Sequence, residues 1–199
     1  MSLRWIIVAL FVFGVWHQWH QRSQKPVAHS EGVLVSAEPR QVNLERGPTW
    51  QKDAYTIRAK AEFEIEARVL SKELYSLGRE ADLSPVDLAL GWGVMSDSGV
   101  LKHLTISQAN RFYFYRWENE PPRSPREIAT HSANMHMVPA SDAIAAKLKK
   151  VRPGEIVHLR GYLVEISATD GWFWNSSMTR EDTGDGACEL VRVESVDLR

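Results

Sequence analysis

The chain has 199 residues, 44% of them hydrophobic, which gives room for one globular domain with a real core plus a short tail, but not for two full domains. A formal net charge of -1 leaves no overall field toward nucleic acid or an anionic surface, so any such binding needs a local patch. Cys188 is the single cysteine, which excludes an intrachain disulfide and a four-thiolate zinc site.

Arg4 precedes an apolar run from Trp5 to Trp16, and no charged residue follows until Arg22. A cationic start followed by such a run is the pattern of an export signal or a signal anchor. As a helix, about 12 residues rise about 18 Å, short of the roughly 30 Å hydrocarbon core. The uncharged stretch continues to Gln21, however, with Trp5 at one end and Trp16 and Trp19 at the other. Indole rings at both ends suit two interfaces and favour an uncleaved anchor over a cleaved signal. A helix buried in a soluble domain would show an apolar stripe, whereas this run is apolar all round. Residues 1–21 are therefore read as a transmembrane helix crossing a cell inner membrane once. The short N-terminal tail places the rest in the periplasm, although Arg4 on one side and Arg22 and Lys25 on the other nearly balance the positive-inside count.

Residues 22–49 are polar, carry Pro26, Pro39 and Pro48, and show no sustained period, as a juxtamembrane linker would. A short strand around Val33–Val35 is compatible with the sequence. Residues 50–199 are read as a single soluble domain. From Thr56 to Leu70, Ala59, Ala61, Phe63, Ile65, Ala67 and Val69 alternate with Lys60, Glu62, Glu64, Glu66 and Arg68. All the apolar side chains then share one face of a half-buried antiparallel strand.

Ser84, Pro85 and Asp87 have the order of an N-cap, a first helical residue and a first-turn carboxylate, which predicts a helix stopped early by Gly91 and Gly93. Leu101–Ile106 and Arg111–Trp117 read as strands joined by a polar hairpin connection, Ser107 to Asn110. Pro121, Pro122 and Pro125 break the chain into a loop. Ser141 and Asp142 cap a helix whose Ile144, Leu148 and Val151 lie at helical spacing, and Pro153-Gly154 stops it. Strand-like runs follow at Glu155–Ile166 and Ala187–Val196.

This order predicts a mainly β fold with short helices, of α+β class. A long first strand, a helix between the third and fourth strands and a strand opening after Pro-Gly resemble an OB-type barrel, a small closed sheet, here preceded by one N-terminal hydrophobic helix. The resemblance is to a fold pattern over roughly 56–196, and a generic α+β sandwich is the alternative.

His131, Asn134 and His136 place two imidazoles and a carboxamide within six residues. They lack the i, i+4 spacing of a helical zinc pair and would need a third ligand, such as Asp182 or Glu189, so no metal and no cofactor is expected. Structural hydrogen bonding in a loop is the simpler role. The stretch Asn175 to Glu189 is dense in turn-forming Ser, Thr, Asp and Gly, but it also gathers Arg180, Asp182, Asp185 and Cys188 beside Trp172 and Trp174. Asp182-Thr-Gly lacks the apolar lead-in strand of an aspartic protease, and Asp182 with Asp185 departs from EF-hand spacing. Phe112, Tyr113, Phe114 and Tyr115 beside Arg111 and Arg116 would put rings on both faces of a strand, as a single-strand nucleic-acid binder does, but the chain is not basic.

The expectation is a membrane-anchored, extracytoplasmic binding or assembly module without catalytic residues. Its contact residues would be Asn134, His136, Trp172, Trp174, Ser177, Arg180, Asp182 and Asp185, and its occupant a protein partner or a small ligand. One alternative is an extracytoplasmic metal-dependent hydrolase using His136 and Asp182. The other is OB-type binding of single-stranded nucleic acid.

Overall fold

The computed structural model describes residues 5, 25–180 and 187–199. The apolar segment read as an anchor, apart from Trp5, lies outside the described residues. Among those described, no helix is long and apolar enough to cross a membrane.

The fold is mainly β, with a few short helices. Strands β1 (Arg40–Asn43), β2 (Thr49–Lys52) and β3 (Tyr55–Leu74) come first, followed by helix α1 (Arg79–Leu83) and strand β4 (Val86–Gly91). A 3-10 turn at Gly93–Ser96 and helix α2 (Ser98–Leu101) lead to the hairpin β5 (Thr105–Ala109) and β6 (Phe112–Arg116). Next are α3 (Pro125–Thr130), β7 (Ser132–Pro139), α4 (Asp142–Lys150), β8 (Ile156–Ala168), β9 (Phe173–Asn175) and β10 (Glu189–Leu198).

The strong alternation places β3 at the centre of the sheet. It pairs antiparallel with β8 from Tyr55 to Arg68, and with β4 from Arg68 to Leu74. From β4 the pairing passes to β7, then in parallel to β10, and antiparallel to β8, so that a path leaving β3 returns to it. β1 and β2 pair with β3 on the edge opposite β8, ahead of β4, and β9 adds to β8. The main core cluster holds Phe63, Ile65, Leu88, Leu90, Met135, Met137, Leu159, Leu163 and Val191 of these strands. Each such side chain removed from water contributes about 1.5–3 kcal/mol, so the alternating face of β3 sets the register. A second cluster, Leu83, Val138, Val164, Ile166 and Leu190, lies under Trp172 and Trp174.

Several local expectations are corrected. The helix expected from Ser84-Pro85 is strand β4, and all six of its residues are buried. Buried on both faces, it lacks the alternation of a half-exposed strand, and a segment this short cannot nucleate a helix against the pairing offered on both edges. The 131–136 stretch is mostly strand β7 rather than loop. The hairpin connection is shorter than expected: Ser107 to Ala109 belong to β5, and the turn is Asn110-Arg111, with φ of 53° and 70°. Within the proline-rich stretch, α3 begins at Pro125. Ser124 and Glu127 cap it reciprocally, the Glu127 N–H donating to Ser124 Oγ and Ser124 N–H to the Glu127 carboxylate. Helix α4 forms as expected, with Ser141 Oγ accepting from Ile144 N.

Within the stretch read as a linker, the chain is held to the sheet from Val27 onward. Val27 N–H donates to the Pro153 carbonyl at 2.8 Å and Gly93 N–H to that of Val35 at 2.7 Å. Val35 lies in the core rather than in a strand, and Trp92 Nε1 donates to Glu38 at 2.7 Å.

Candidate functional site

The chemistry-bearing groups gather on the outer face of the β4–β7 pair. Asp87 and His136 stand opposite each other in that ladder, with Asp87 Oδ2 3.0 Å from His136 Nδ1. The left-handed turn at Asn110-Arg111 folds the hairpin tip onto them. Arg111 Nη1 donates to Asp87 Oδ1 at 2.7 Å and to the Ser84 carbonyl at 2.9 Å, while its Nε lies 3.7 Å from Glu80. The guanidinium stacks 3.7 Å from the centre of the Tyr75 ring, and the Tyr75 hydroxyl accepts from Arg111 N–H at 3.0 Å. Burial, only partly offset by that bond, pushes the Tyr75 phenol above its usual range.

Asn134 completes the seat of the tip. Its Nδ2 donates to the Arg111 carbonyl at 2.8 Å, and its Oδ1 accepts from Gln108 Nε2 at 2.6 Å. The Trp174 ring covers His136, with centroids 5.0 Å apart. Asp87 is fully buried, and Arg111 and His136 lie against its two carboxylate oxygens. An Asp–His pair is the orienting half of an acid–base relay. Here the imidazole is 4% exposed, beneath Trp174. The network fastens the hairpin to the sheet.

Beside this anchor opens a cleft of about 430 Å³ between the 75–80 turn, the hairpin tip and Trp172. Arg79 forms part of its wall and is paired with Asp170, with its guanidinium 5.1 Å from the Trp172 ring and 5.9 Å from that of Tyr55. The Arg79 bond and the Trp172 N–H together hold the Asp170 carboxyl below its usual range. Leu77 lines the cleft and is 90% exposed, and Phe173, next to Trp172, is 68% exposed.

Of the residues singled out in the sequence, Asn134, His136 and Trp174 come together around Arg111, and Trp172 forms the cleft wall. Arg180 shares a smaller cavity, of about 150 Å³, with Asn134. It is held by Gln41, lies 3.7 Å from Glu189 and stands over the Phe63 ring. Ser177 is buried, and its hydroxyl donates to the Thr179 carbonyl at 2.8 Å. Asp182 and Asp185 lie outside the described residues. His131 is apart from His136: its Nδ1 lies 2.8 Å from the Glu127 carbonyl and its Nε2 3.4 Å from Glu38. No group of three His, Cys, Asp or Glu among the described residues is placed to hold a metal ion.

Sequence reasoning gave Asp87 and Arg111 other roles, a first-turn helix carboxylate and the flank of an aromatic strand, and passed over Tyr75. A lone carboxylate in the apolar run Val86 to Leu90 was the available signal, because a buried charge demands a partner. No family model, curated protein or solved structure matches the chain.

Proposed function

We propose that the chain is a membrane-tethered, non-enzymatic binding module. In this reading an OB-type barrel is carried outside the cytoplasm on the N-terminal apolar segment and takes a protein partner at the cleft beside Arg111. The closed path of strand pairings, the parallel β7–β10 pair and the position of α4 between β7 and β8 support the barrel. In such a barrel the loops after the first and fourth ring strands frame the binding surface. Here those loops supply Leu77 and Arg79 on one side and Trp172 on the other.

The observation that carries the reading is the exposed rim. Leu77 stands in solvent on the cleft wall, beside Trp172 and stacked, ion-paired Arg79, an arrangement of apolar contact area beside charge that suits a protein interface. The hydrolase alternative has less support, because His136 is already engaged by Asp87 beneath Trp174.

A photoreactive phenylalanine analogue introduced at position 77 of the full chain, in cells, tests it. The reading predicts a discrete protein adduct at position 77 that is absent when the probe sits at Val42, on β1. Absence of any adduct at 77, or the same products at both positions, contradicts it.

A further inference from the structure

We propose that the β5–β6 hairpin is a second membrane contact, its outer face lying on the bilayer interface beside the tether. The proposal rests on the tether reading above and adds the lipid surface as the occupant of that face.

Burial alternates strictly along both strands of the hairpin. Tyr115, together with Trp117, packs on the cluster of Met95, Val100 and Ile128, and the Tyr113 hydroxyl reaches Ser132. The other face presents Thr105, Ser107, Ala109, Phe112, Phe114 and Arg116 to solvent. Phe112 and Phe114 are 36% and 51% exposed, with ring centroids 6.3 Å apart. Arg116 is the one charged residue on this face, at its base end. Two adjacent phenylalanines among small uncharged residues, with a long cation at the margin able to reach back to headgroups, have the composition of an interfacial membrane element. One guanidinium is too little for a polyphosphate backbone, which a nucleic-acid face would have to neutralise.

The path of the chain selects lipid over a distant partner. Gly32 N–H donates to Asp97 Oδ1 at 2.7 Å, and Glu31 pairs with Lys102 at 2.6 Å. Val27 and His29 fasten the segment after the apolar run at Pro153 and Gly154, and Glu31 then fastens it at Lys102, three residues before β5 begins. Ser107, the cross-strand partner of Phe114, is five residues beyond Lys102, which is at most about 18 Å of extended chain. A tether that brings residues 25–32 to a bilayer brings the hairpin base with it, and Phe114 stands opposite Ser107 on the neighbouring strand.

The full chain, carrying a photoreactive phenylalanine analogue at position 114 or at the comparably exposed Val42, is reconstituted in phosphatidylethanolamine–phosphatidylglycerol vesicles, floated and irradiated. The expected result is a lipid adduct at 114 in several-fold higher yield than at 42. Equal yields, or a cross-link from 114 to another protein molecule, overturn the hairpin contact while flotation still upholds the tether. Failure to float overturns both.

Discussion

Asp87 and His136 face each other across the β4–β7 ladder at 3.0 Å, and Arg111 reaches the remaining carboxylate oxygen from the hairpin tip. One fully buried carboxylate thus joins two sheet strands to an inserted hairpin. Removing it leaves the Arg111 guanidinium without its buried counter-charge, which costs about 3–5 kcal/mol. Asp87→Ala is expected to lower the stability of the detergent-solubilised chain by that amount in a denaturant titration, and to increase amide exchange through β5 and β6. A loss below about 1 kcal/mol, with hairpin exchange unchanged, would remove the network from its anchoring role.

Closure of the strand path is tested at Gly161. A Cβ there would fall on the Arg192 carbonyl oxygen, with the carbonyl carbon 2.9 Å away, next to the irregular pairing at Val193 and Ser195. The three nearest atoms are all β10 backbone, which leaves no side chain to move aside. Gly161→Ala is expected to cost about 1–3 kcal/mol or more, with exchange protection lost first along β8 and β10. Wild-type thermal stability in this variant would mean that β8 and β10 do not approach each other as described.

Alkaline titration reads the packing beneath the hairpin. Burial raises the Tyr113 phenol well above its usual range, and Tyr75 and Tyr115 are raised in the same direction. With folded values above the unfolded one of about 10, the unfolded chain loses these protons first. Stability is therefore unaffected by them below about pH 10 and declines as pH rises through the folded values. Phenolate absorbance is expected in two stages, the later one coincident with loss of the near-ultraviolet dichroism. A single stage near the ordinary tyrosine value, with the fold intact, would contradict the burial of these rings.

The cleft rim separates binding from stability. Leu77 and Phe173 project into solvent, so Leu77→Ser and Phe173→Ser are expected to change stability by no more than about 0.5 kcal/mol. Capture of a partner by a probe placed at Glu80, which lines the same cleft, should nevertheless be lost in Leu77→Ser. Undiminished capture would move the contact surface elsewhere on the molecule.

Legibility in the sequence followed the physics of each element. β3 could be read because one of its faces meets solvent, so Lys60 to Arg68 alternate with Ala59 to Val69. Helix α4 could be read from its cap at Ser141 and its stop at Pro153-Gly154. β4 and β7 are buried on both sides, by the main core cluster and by the inserted hairpin, which erases the period that would have marked them. The Ser124-to-Glu127 capping box was present but lay inside a run of prolines that suggested only a loop. Asn134, His136 and the two tryptophans stood out as polar and aromatic clusters. Their partners Asp87 and Arg111 did not, because strand register and a two-residue turn, neither fixed by composition, bring them together.

The central claim is that the domain is held at a membrane on its outer side by the segment before Lys25, and an alkaline phosphatase reporter fused after Arg199 tests it most directly. The account predicts phosphatase activity in intact cells that sediments with membranes and resists extraction at alkaline pH. An inactive reporter recovered with the soluble fraction would contradict it, and the cleft and hairpin would then need a different setting.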